Sequence, residues 1–339
     1  ETTTTVNLKT EAPSIEKTAD KTTVNIGDVV KYTVKGSIPD TTGYAQYVYK
    51  IHDELSTGLD FVNDATGTAC EANSVKVTVA FTDTSLTVGG TTPTTATLDS
   101  TNKKKMSLDL SEWVRANQTN KGKAFTVTYY AKVNKDAVVT EKNNAQLEYG
   151  NNPKETTKTT PSEAKTPTYP LDILKKEKTS EKELAGAKFS LYTTEADAKA
   201  GTNAITVSGS DGKYVVDPTS KNTVFESVAS IEGGNYNLHV NGLKAGDYWL
   251  VETEAPAGYN KLTAPIKVTI KKSADADVNN WTISKDGVDE KDKIIDIENS
   301  TGSILPSTGG RGAIAFAVIA ALLVFGVAVS FIRDKRKEA

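Results

Sequence analysis

The chain has 339 residues, of which 24% are charged and 37% hydrophobic, and its formal net charge is −3. Basic and acidic residues are interspersed, so no nucleic-acid partner is predicted. The single cysteine cannot form an internal disulfide, the two histidines lie far apart, and no Gly-rich phosphate loop or GxSxG motif is present, so no metal, no cofactor and no enzymatic turnover are predicted.

Short runs of alternating apolar and polar residues dominate the chain up to about residue 300. VVKYTVKGSI, FTVTYYAKV and AQLEY are examples, and this alternation is typical of strands with one buried face. Only TTEADAKAG, at 193–201, predicts a short helix. Roughly three hundred residues suffice for two domains, so we expect an all-β protein with two tandem Ig-like β-sandwiches.

Residues 1–13 are expected to be a linker, and residues 14–155 the first domain. In this domain the alternation places three polar side chains on apolar strand faces: Lys17 in APSIEKTADK, Asp53 in YVYKIHDEL and Asn143 in KNNAQLEYG. A lysine, an acid and an asparagine are therefore predicted to meet in one core.

The polar, proline-containing stretch 156–169 is predicted to be a linker before a second domain at 170–300. The same three residue types recur there on apolar faces: Lys175 in YPLDILKKEK, Glu252 in GDYWLVETE and Asn299 in KIIDIENS. For any one of these residues, a surface ion pair or a misread strand face is the simpler interpretation. Finding the same set twice argues against it.

Both domains resemble known families. EKELAGAKFSLY followed by GDYWLVETEAPAGY is similar to the start and the E-box of the collagen-adhesin B-type, or pilin, domain. VNIGDVVKYTV, IHDELSTGLDF and NNAQLEYGNNP resemble the isopeptide-forming fimbrial domain. In both families an acid promotes a spontaneous amide bond between a lysine and an asparagine side chain. The resemblance implies two such sites, with Lys17, Asp53 and Asn143 in the first domain and Lys175, Glu252 and Asn299 in the second; Asn144 and Lys176 are the alternatives to Asn143 and Lys175.

The chemistry of such a site follows from burial. Loss of water lowers the pKa of a lysine and raises that of a carboxylic acid, so a core can hold a neutral amine beside a protonated acid. The amine is then a nucleophile and the acid a proton donor, and the reaction occurs once per site.

The end of the chain combines three further signals. Residues 301–311 contain LPSTGG. Residues 312–332 form an apolar segment with the length of ~20 residues that is needed to span a bilayer. Residues 333–339 are basic, which predicts that the C-terminus stays inside the cell and that everything before the span lies outside. This order resembles the cell-wall sorting signal of Gram-positive surface proteins. The resemblance implies that the transpeptidase sortase reads the motif Leu305, Pro306, Ser307, Thr308 and Gly309.

In that family, sortase cuts between Thr308 and Gly309 and joins the Thr308 carboxyl to an amine of a peptidoglycan precursor or of another pilin subunit. The apolar segment then anchors the chain in the membrane only before sorting. A signal peptide is expected to accompany this topology, and ETTTTVNLKT lacks a basic start and an apolar core. We therefore expect the sequence to be a processed or truncated form.

The leading functional prediction is a structural subunit of a Gram-positive pilus, attached to the cell wall at the cell surface. In this family a Tyr-Pro-Lys motif typically supplies the acceptor lysine, whereas here Leu171 follows Tyr169 and Pro170. The alternative is a monomeric wall-anchored adhesin that binds a host matrix protein. Trp113 and Trp281 are predicted to pack in cores rather than to form a ligand platform.

Overall fold

The computed structural model describes residues 12–274 and 276–302. Two compact units make up this part of the chain, and the main division between them falls between Pro170 and Leu171. The predicted sorting motif, the predicted membrane span and the basic tail, at 303–339, lie outside the described residues, as does most of the predicted N-terminal linker. No helix among the residues that are described has the length and apolar character needed to cross a membrane.

The first unit is almost entirely β-structure. Its elements are β1 (Glu16–Ala19), β2 (Val29–Ser37), β3 (Val48–Leu55), β4 (Leu59–Val62), β5 (Ser74–Lys76), β6 (Thr78–Phe81), β7 (Thr95–Leu98), β8 (Lys105–Asp109), α1 (Ser111–Ala116), a 3-10 turn (Gln118–Asn120), β9 (Ala124–Val133), β10 (Lys142–Gly150), β11 (Thr157–Lys158) and β12 (Ser162–Lys165). One sheet has the order β1-β2-β9-β4, with β6 also paired to β9. The other has the order β11-β10-β3-β8-β7-β5, with β12 also paired to β10.

The predicted alternation is present in these strands. In β9, every second residue from Phe125 to Val133 is buried, and in β3 the buried positions are Tyr49, Ile51, Asp53 and Leu55. The helix α1 was not anticipated from the sequence. It has only six residues, too few to show a helical period, and it buries Trp113 and Val114.

The segment 156–169 is part of the first unit rather than the linker predicted from its composition. Strand β11 pairs antiparallel with the end of β10, and β12 pairs with its beginning, so that Asn143 lies opposite Ala164. Thr166 and Thr168 are fully buried. Short strands rich in Thr and Lys lack the apolar alternation that identifies a strand, which is why composition alone was misleading.

The second unit also contains two sheets. Its elements are β13 (Tyr169–Glu177), β14 (Lys188–Tyr192), α2 (Glu195–Ala200), β15 (Val207–Ser210), β16 (Lys213–Val216), β17 (Phe225–Glu226), β18 (Leu238–Leu243), β19 (Gly246–Glu254), β20 (Ile266–Lys271), β21 (Thr282–Lys285), β22 (Val288–Asp289) and β23 (Ile294–Asn299). A 3-10 turn (Val278–Asn280) between β20 and β21 is counted with the first unit. The strand orders are β15-β16-β18-β13-β23 and β17-β14-β19-β20-β21-β22. The first and last strands, β13 and β23, pair in parallel.

The short helix predicted at 193–201 is confirmed as α2. The hydroxyl of Thr194 caps its start by accepting a hydrogen bond from the Asp197 amide, and Gly201 ends it with a φ of 70°. A β-carbon disfavours this left-handed conformation, so glycine suits the position. Glu195 and Lys199 form an ion pair one turn apart on its surface.

Candidate functional site: two buried lysine clusters

The first cluster consists of Lys17, Asp53, Tyr129 and Asn143. Strand β1 carries Lys17 in one sheet, whereas Asp53 and Asn143 lie on the neighbouring strands β3 and β10 of the other sheet. Asp53 pairs with Ala145 and Asn143 with Leu55, so the acid and the amide are diagonal neighbours on one face. The lysine therefore reaches across the core to two residues that the opposite sheet presents together.

Contacts in the first cluster are short and fully buried. The Nζ of Lys17 lies 2.9 Å from Oδ2 of Asp53, and neither side chain is exposed to solvent. The same Nζ donates to the hydroxyl of Tyr129 at 2.5 Å, and that hydroxyl donates to Oδ2 of Asp53. The rings of Tyr32 and Tyr129 flank the amine, with centroids 4.2 Å and 4.4 Å from Nζ.

The carboxamide of Asn143 is buried, and no well-formed hydrogen bond within the described residues replaces those it would make to water. The residue has no exposed surface. Neither its Nδ2 nor its Oδ1 makes a hydrogen bond of good geometry within the described residues, and Oδ1 of Asp53 likewise has no partner there. The carboxamide still interacts with Asp53, since it is one of the groups that lower the pKa of this acid against the effect of burial. Buried polar atoms without partners are rare because each costs roughly 1–3 kcal/mol. Asn143, rather than the half-buried Asn144, occupies this position in the core.

Burial shifts both ionisable groups of the pair toward their neutral forms. It lowers the pKa of Lys17 to about 8, although the charge of Asp53 opposes the shift. Burial also raises the pKa of Asp53 above its usual value, against the opposing effect of Lys17. A neutral amine and a protonated acid are thus more accessible here than in water.

The second cluster consists of Lys175, Glu252 and Asn299. Parallel pairing of β13 with β23 sets Lys175 opposite Ile297 and Glu177 opposite Asn299, so Lys175 and Asn299 lie two residues apart on one sheet. Glu252 comes from β19 in the other sheet. All three are at most 3% exposed, whereas Lys176 forms surface-facing ion pairs with Glu181 and Asp296.

In the second cluster the acid is hydrogen-bonded to the amide and also forms a longer ion pair with the amine. Nδ2 of Asn299 donates to Oε1 of Glu252 at 3.0 Å and to the carbonyl of Asn260 at 2.8 Å. The Leu262 amide also donates to Oε1 of Glu252, at 2.9 Å. Nζ of Lys175 lies 3.7 Å from Oε2 of Glu252 and donates to the carbonyl of Ile297 at 3.2 Å. Burial lowers the pKa of Lys175 to about 8, against the charge of Glu252.

Two residues at these sites were missed from the sequence. Tyr129 bridges the amine and acid of the first cluster. Asn237 holds the backbone at Lys175, accepting from its N–H at 2.7 Å and donating to its C=O at 3.0 Å. Alternation in FTVTYYAKV does place Tyr129 on the buried face, but it gives no sign of what the hydroxyl contacts. Asn237 precedes its strand, where no alternation applies.

The shifted lysine predicts a pH dependence of stability in an Asn299→Ala chain, which cannot form the cross-link. Folded Lys175 has a pKa of about 8, below the 10.5 of an unperturbed lysine. Between these values the unfolded chain binds more protons, so the free energy of unfolding should increase as the pH rises from about 8 to about 10. The slope should approach ~1.4 kcal/mol per pH unit. Urea denaturation at several pH values measures it.

A chain carrying both Lys175→Met and Asn299→Ala is the control. It keeps every other titrating group, so only the contribution of Lys175 differs between the two profiles. Parallel pH profiles for the single and the double variant would contradict the shifted pKa.

Three further observations concern residues outside the two clusters. Trp113 and Trp281 are buried, at 2% and 7% exposure, which confirms that they pack in the cores. Leu171, at the position of the motif lysine, is also fully buried. Within 12–274 and 276–302, no group of His, Cys, Asp and Glu could hold a metal ion.

Comparison with known proteins identifies relatives for each unit. Residues 26–153 match the family model of the Gram-positive pilin backbone subunit 2, Cna-B-like domain. Residues 170–282 match the model of the SpaA prealbumin-like fold domain. The chain is 29% identical over 166 residues to fimbrial subunit type 1 of Actinomyces viscosus, a match that covers 45% of this chain and 28% of that protein. It therefore spans less than a third of the length of this curated relative.

Solved structures of pilus proteins share the fold. The full-length major pilin RrgB of Streptococcus pneumoniae matches with a TM-score of 0.54 and 19% identity, over 87% of this chain and 75% of that one. The C-terminal fragment of the major pilin GBS80 of Streptococcus agalactiae matches with a TM-score of 0.52 and 18% identity, over 85% of this chain and 100% of that fragment. The pilus 2b backbone protein of group B streptococcus matches with a TM-score of 0.51 and 20% identity, over 85% of this chain and 98% of that one.

Proposed function

We propose that the chain is a structural subunit of a Gram-positive pilus, stiffened by intramolecular Lys–Asn bonds and attached covalently to the cell wall. In support, residues 26–153 match the model of a Gram-positive pilin backbone domain and residues 170–282 match that of the SpaA prealbumin-like fold domain. The observation that carries this proposal is the repeated cluster. Each unit buries a lysine beside an acid and an asparagine, although a charged lysine is among the costliest residues to bury. A covalent product accounts for that arrangement in both domains.

In the proposed reaction, neutral Nζ of the lysine attacks the side-chain carbonyl carbon of the asparagine. The new C–N bond forms, the bond to Nδ2 breaks, and Nδ2 leaves as ammonia with a proton that originates on Nζ. The acid carries this proton and polarises the carboxamide. The fold supplies the effective concentration by fixing the partners next to each other. Lys17 would join Asn143, and Lys175 would join Asn299.

The two clusters support different parts of this reaction. Asp53 contacts the amine, so it is placed to remove the proton that makes Lys17 unreactive. Glu252 contacts Nδ2 of Asn299, so it is placed to protonate the departing ammonia. Both bonds are formed once by the chain on itself, and the protein is structural rather than an enzyme.

Attachment to the wall rests on the sequence of the C-terminal segment. We propose that sortase cleaves after Thr308 and transfers its carboxyl to an amine of another pilin subunit or of a peptidoglycan precursor. Leu171 cannot be the acceptor, because it has no amine and is buried. The receiving amine is therefore a different one.

Immunoblotting of wall extracts tests the assembly. After enzymatic digestion of the peptidoglycan, the wild-type chain should appear as a ladder of high-mass bands that survives boiling in detergent, because covalent bonds would join the subunits. Thr308→Ala should remove the ladder and the wall-bound fraction, whereas Thr301→Ala, an exposed threonine outside the motif, should leave both unchanged. A single monomeric band from the wild type would contradict polymerisation and favour the adhesin alternative.

A further inference from the structure

We propose that Tyr129 relays the proton from Lys17 to Asp53 when the first cluster forms its cross-link. This inference rests on the proposed function, since it assigns a residue to the chemistry of the same cluster. In the second cluster, Nζ of Lys175 donates to a main-chain carbonyl instead of a hydroxyl, so the two reactions of one chain would use different proton routes.

The contacts of the Tyr129 hydroxyl define the relay. Its oxygen accepts a hydrogen bond from Nζ of Lys17 at 2.5 Å, and its hydrogen is donated to Oδ2 of Asp53. The phenol thus links the atom that must lose a proton to the atom that must gain one. The contact from Nζ to the hydroxyl is shorter than the direct 2.9 Å contact from Nζ to Oδ2.

The backbone fixes the phenol in this position. Tyr129 lies on β9 opposite Tyr32 on β2, and it has no exposed surface. The centroids of the two rings lie 6.0 Å apart, and the amine of Lys17 lies over both rings. Such a group loses little freedom when the reaction occurs, because the fold has already ordered it.

The proposed relay transfers one proton in total from Lys17 to Asp53. The ammonium of Lys17 gives one proton to the oxygen of Tyr129 while the phenolic proton moves to Oδ2 of Asp53. Lys17 becomes a neutral amine, Asp53 becomes a neutral acid, and Tyr129 remains a phenol. Burial holds the pKa of Tyr129 well above its usual value, so a free phenolate is disfavoured and the two transfers are expected to be concerted.

The second cluster provides the contrast. Nζ of Lys175 donates to the main-chain carbonyl of Ile297, which has no proton to pass on, and lies 3.7 Å from Glu252. Glu252 forms its shorter contact with the amide of Asn299, from which it accepts a hydrogen bond. A hydroxyl relay is therefore a property of the first cluster, and the second cluster is an internal reference in the same molecule.

Time-resolved mass spectrometry tests the relay. The full chain is synthesised in a cell-free system, samples are quenched in acid and denaturant, and peptide mapping assigns each loss of ammonia to one domain. Tyr129→Phe should slow the loss in the first domain by ~100-fold or more relative to the second, which is the usual contribution of a positioned proton-transfer group. Equal rates for Tyr129→Phe and wild type would overturn the relay.

Tyr32→Phe is the matched control. It also removes a hydroxyl from a ring beside Nζ of Lys17, but this hydroxyl makes no hydrogen bond to Lys17 or Asp53. Its first-domain rate should stay within about twofold of wild type if proton relay, rather than ring packing, is what Tyr129 supplies. A wild-type first domain that never loses ammonia overturns the proposed cross-link and the relay together, whereas a fast Tyr129→Phe reaction overturns only the relay.

A measurement on the unsubstituted chain covers the case in which Tyr129→Phe fails to fold. The first-domain rate is followed at increasing fractions of D2O. Two protons that move in concert give a curved dependence of rate on deuterium fraction, and the second domain serves as the reference. A straight line for the first domain would contradict the relay.

Discussion

A chain with Glu252→Ala is expected to lose one ammonia instead of two, because the second cluster loses the acid that is hydrogen-bonded to Asn299 while the first cluster is unchanged. Asp53→Ala should have the converse effect. The wild-type chain over residues 1–302 should be lighter than its sequence mass by two ammonia molecules. Intact-mass measurement followed by peptide mapping identifies which lysine has reacted.

Exposed acids close in sequence to Asp53 and Glu252 are suitable controls for the two substitutions. Glu254 lies on the same strand as Glu252 and pairs with Lys188 at the surface, and Glu54 follows Asp53 with its side chain on the exposed face. Glu254→Ala and Glu54→Ala should retain both losses. An unshifted wild-type mass, with Lys17 and Lys175 recovered in unmodified peptides, would exclude the cross-links altogether.

Removal of a cross-link is expected to destabilise its own domain strongly. Each bond would close a loop of more than a hundred residues, and the chain-entropy model for cross-links assigns such a loop ~4 to 5 kcal/mol. Asn299→Ala should reduce the free energy of unfolding of the second domain by about this amount, and Asn143→Ala that of the first. The unreacted lysine and acid left in the core would add to the loss.

Denaturant titration can follow the two domains separately. Of the three tryptophans, Trp113 lies in the first domain and Trp249 and Trp281 in the second, so removing one set isolates the fluorescence of the other domain. Asn151→Ala, at an exposed position, should leave both transitions unchanged. A change below about 1 kcal/mol in Asn299→Ala, the size of an ordinary hydrogen bond, would argue that no covalent bond had been lost.

The sequence predicts which residues of each strand are buried, because alternation is a local property. It therefore places Lys17, Lys175 and Asn299 in cores, and the structure agrees. Strand pairing is not local, and nothing in the sequence shows that Lys17 and Asn143 belong to different sheets whereas Lys175 and Asn299 share one. The contacts of the Tyr129 hydroxyl depend on which strands share a sheet. The sequence alone therefore could not predict them.

Local signals also fail where an element is short. The strands β11 and β12 have two and four residues, and their pairing is set by the neighbouring β10 rather than by their own apolar pattern. The composition of this segment predicts a linker because Thr, Lys and Pro are common in linkers. Its pairing with β10 makes it part of the sheet instead.

The parallel pairing of β13 with β23 determines how the second domain would respond to tension. The chain enters β13 at Tyr169 and leaves β23 at Asn299, so these two points lie at opposite ends of adjacent parallel strands. Tension between them shears the whole ladder at once instead of unzipping it one hydrogen bond at a time. With Lys175 joined to Asn299, force would pass from one strand to the other through an amide bond, and residues 176–298 would carry none of it. The domain would then behave as a covalent link that carries a folded loop.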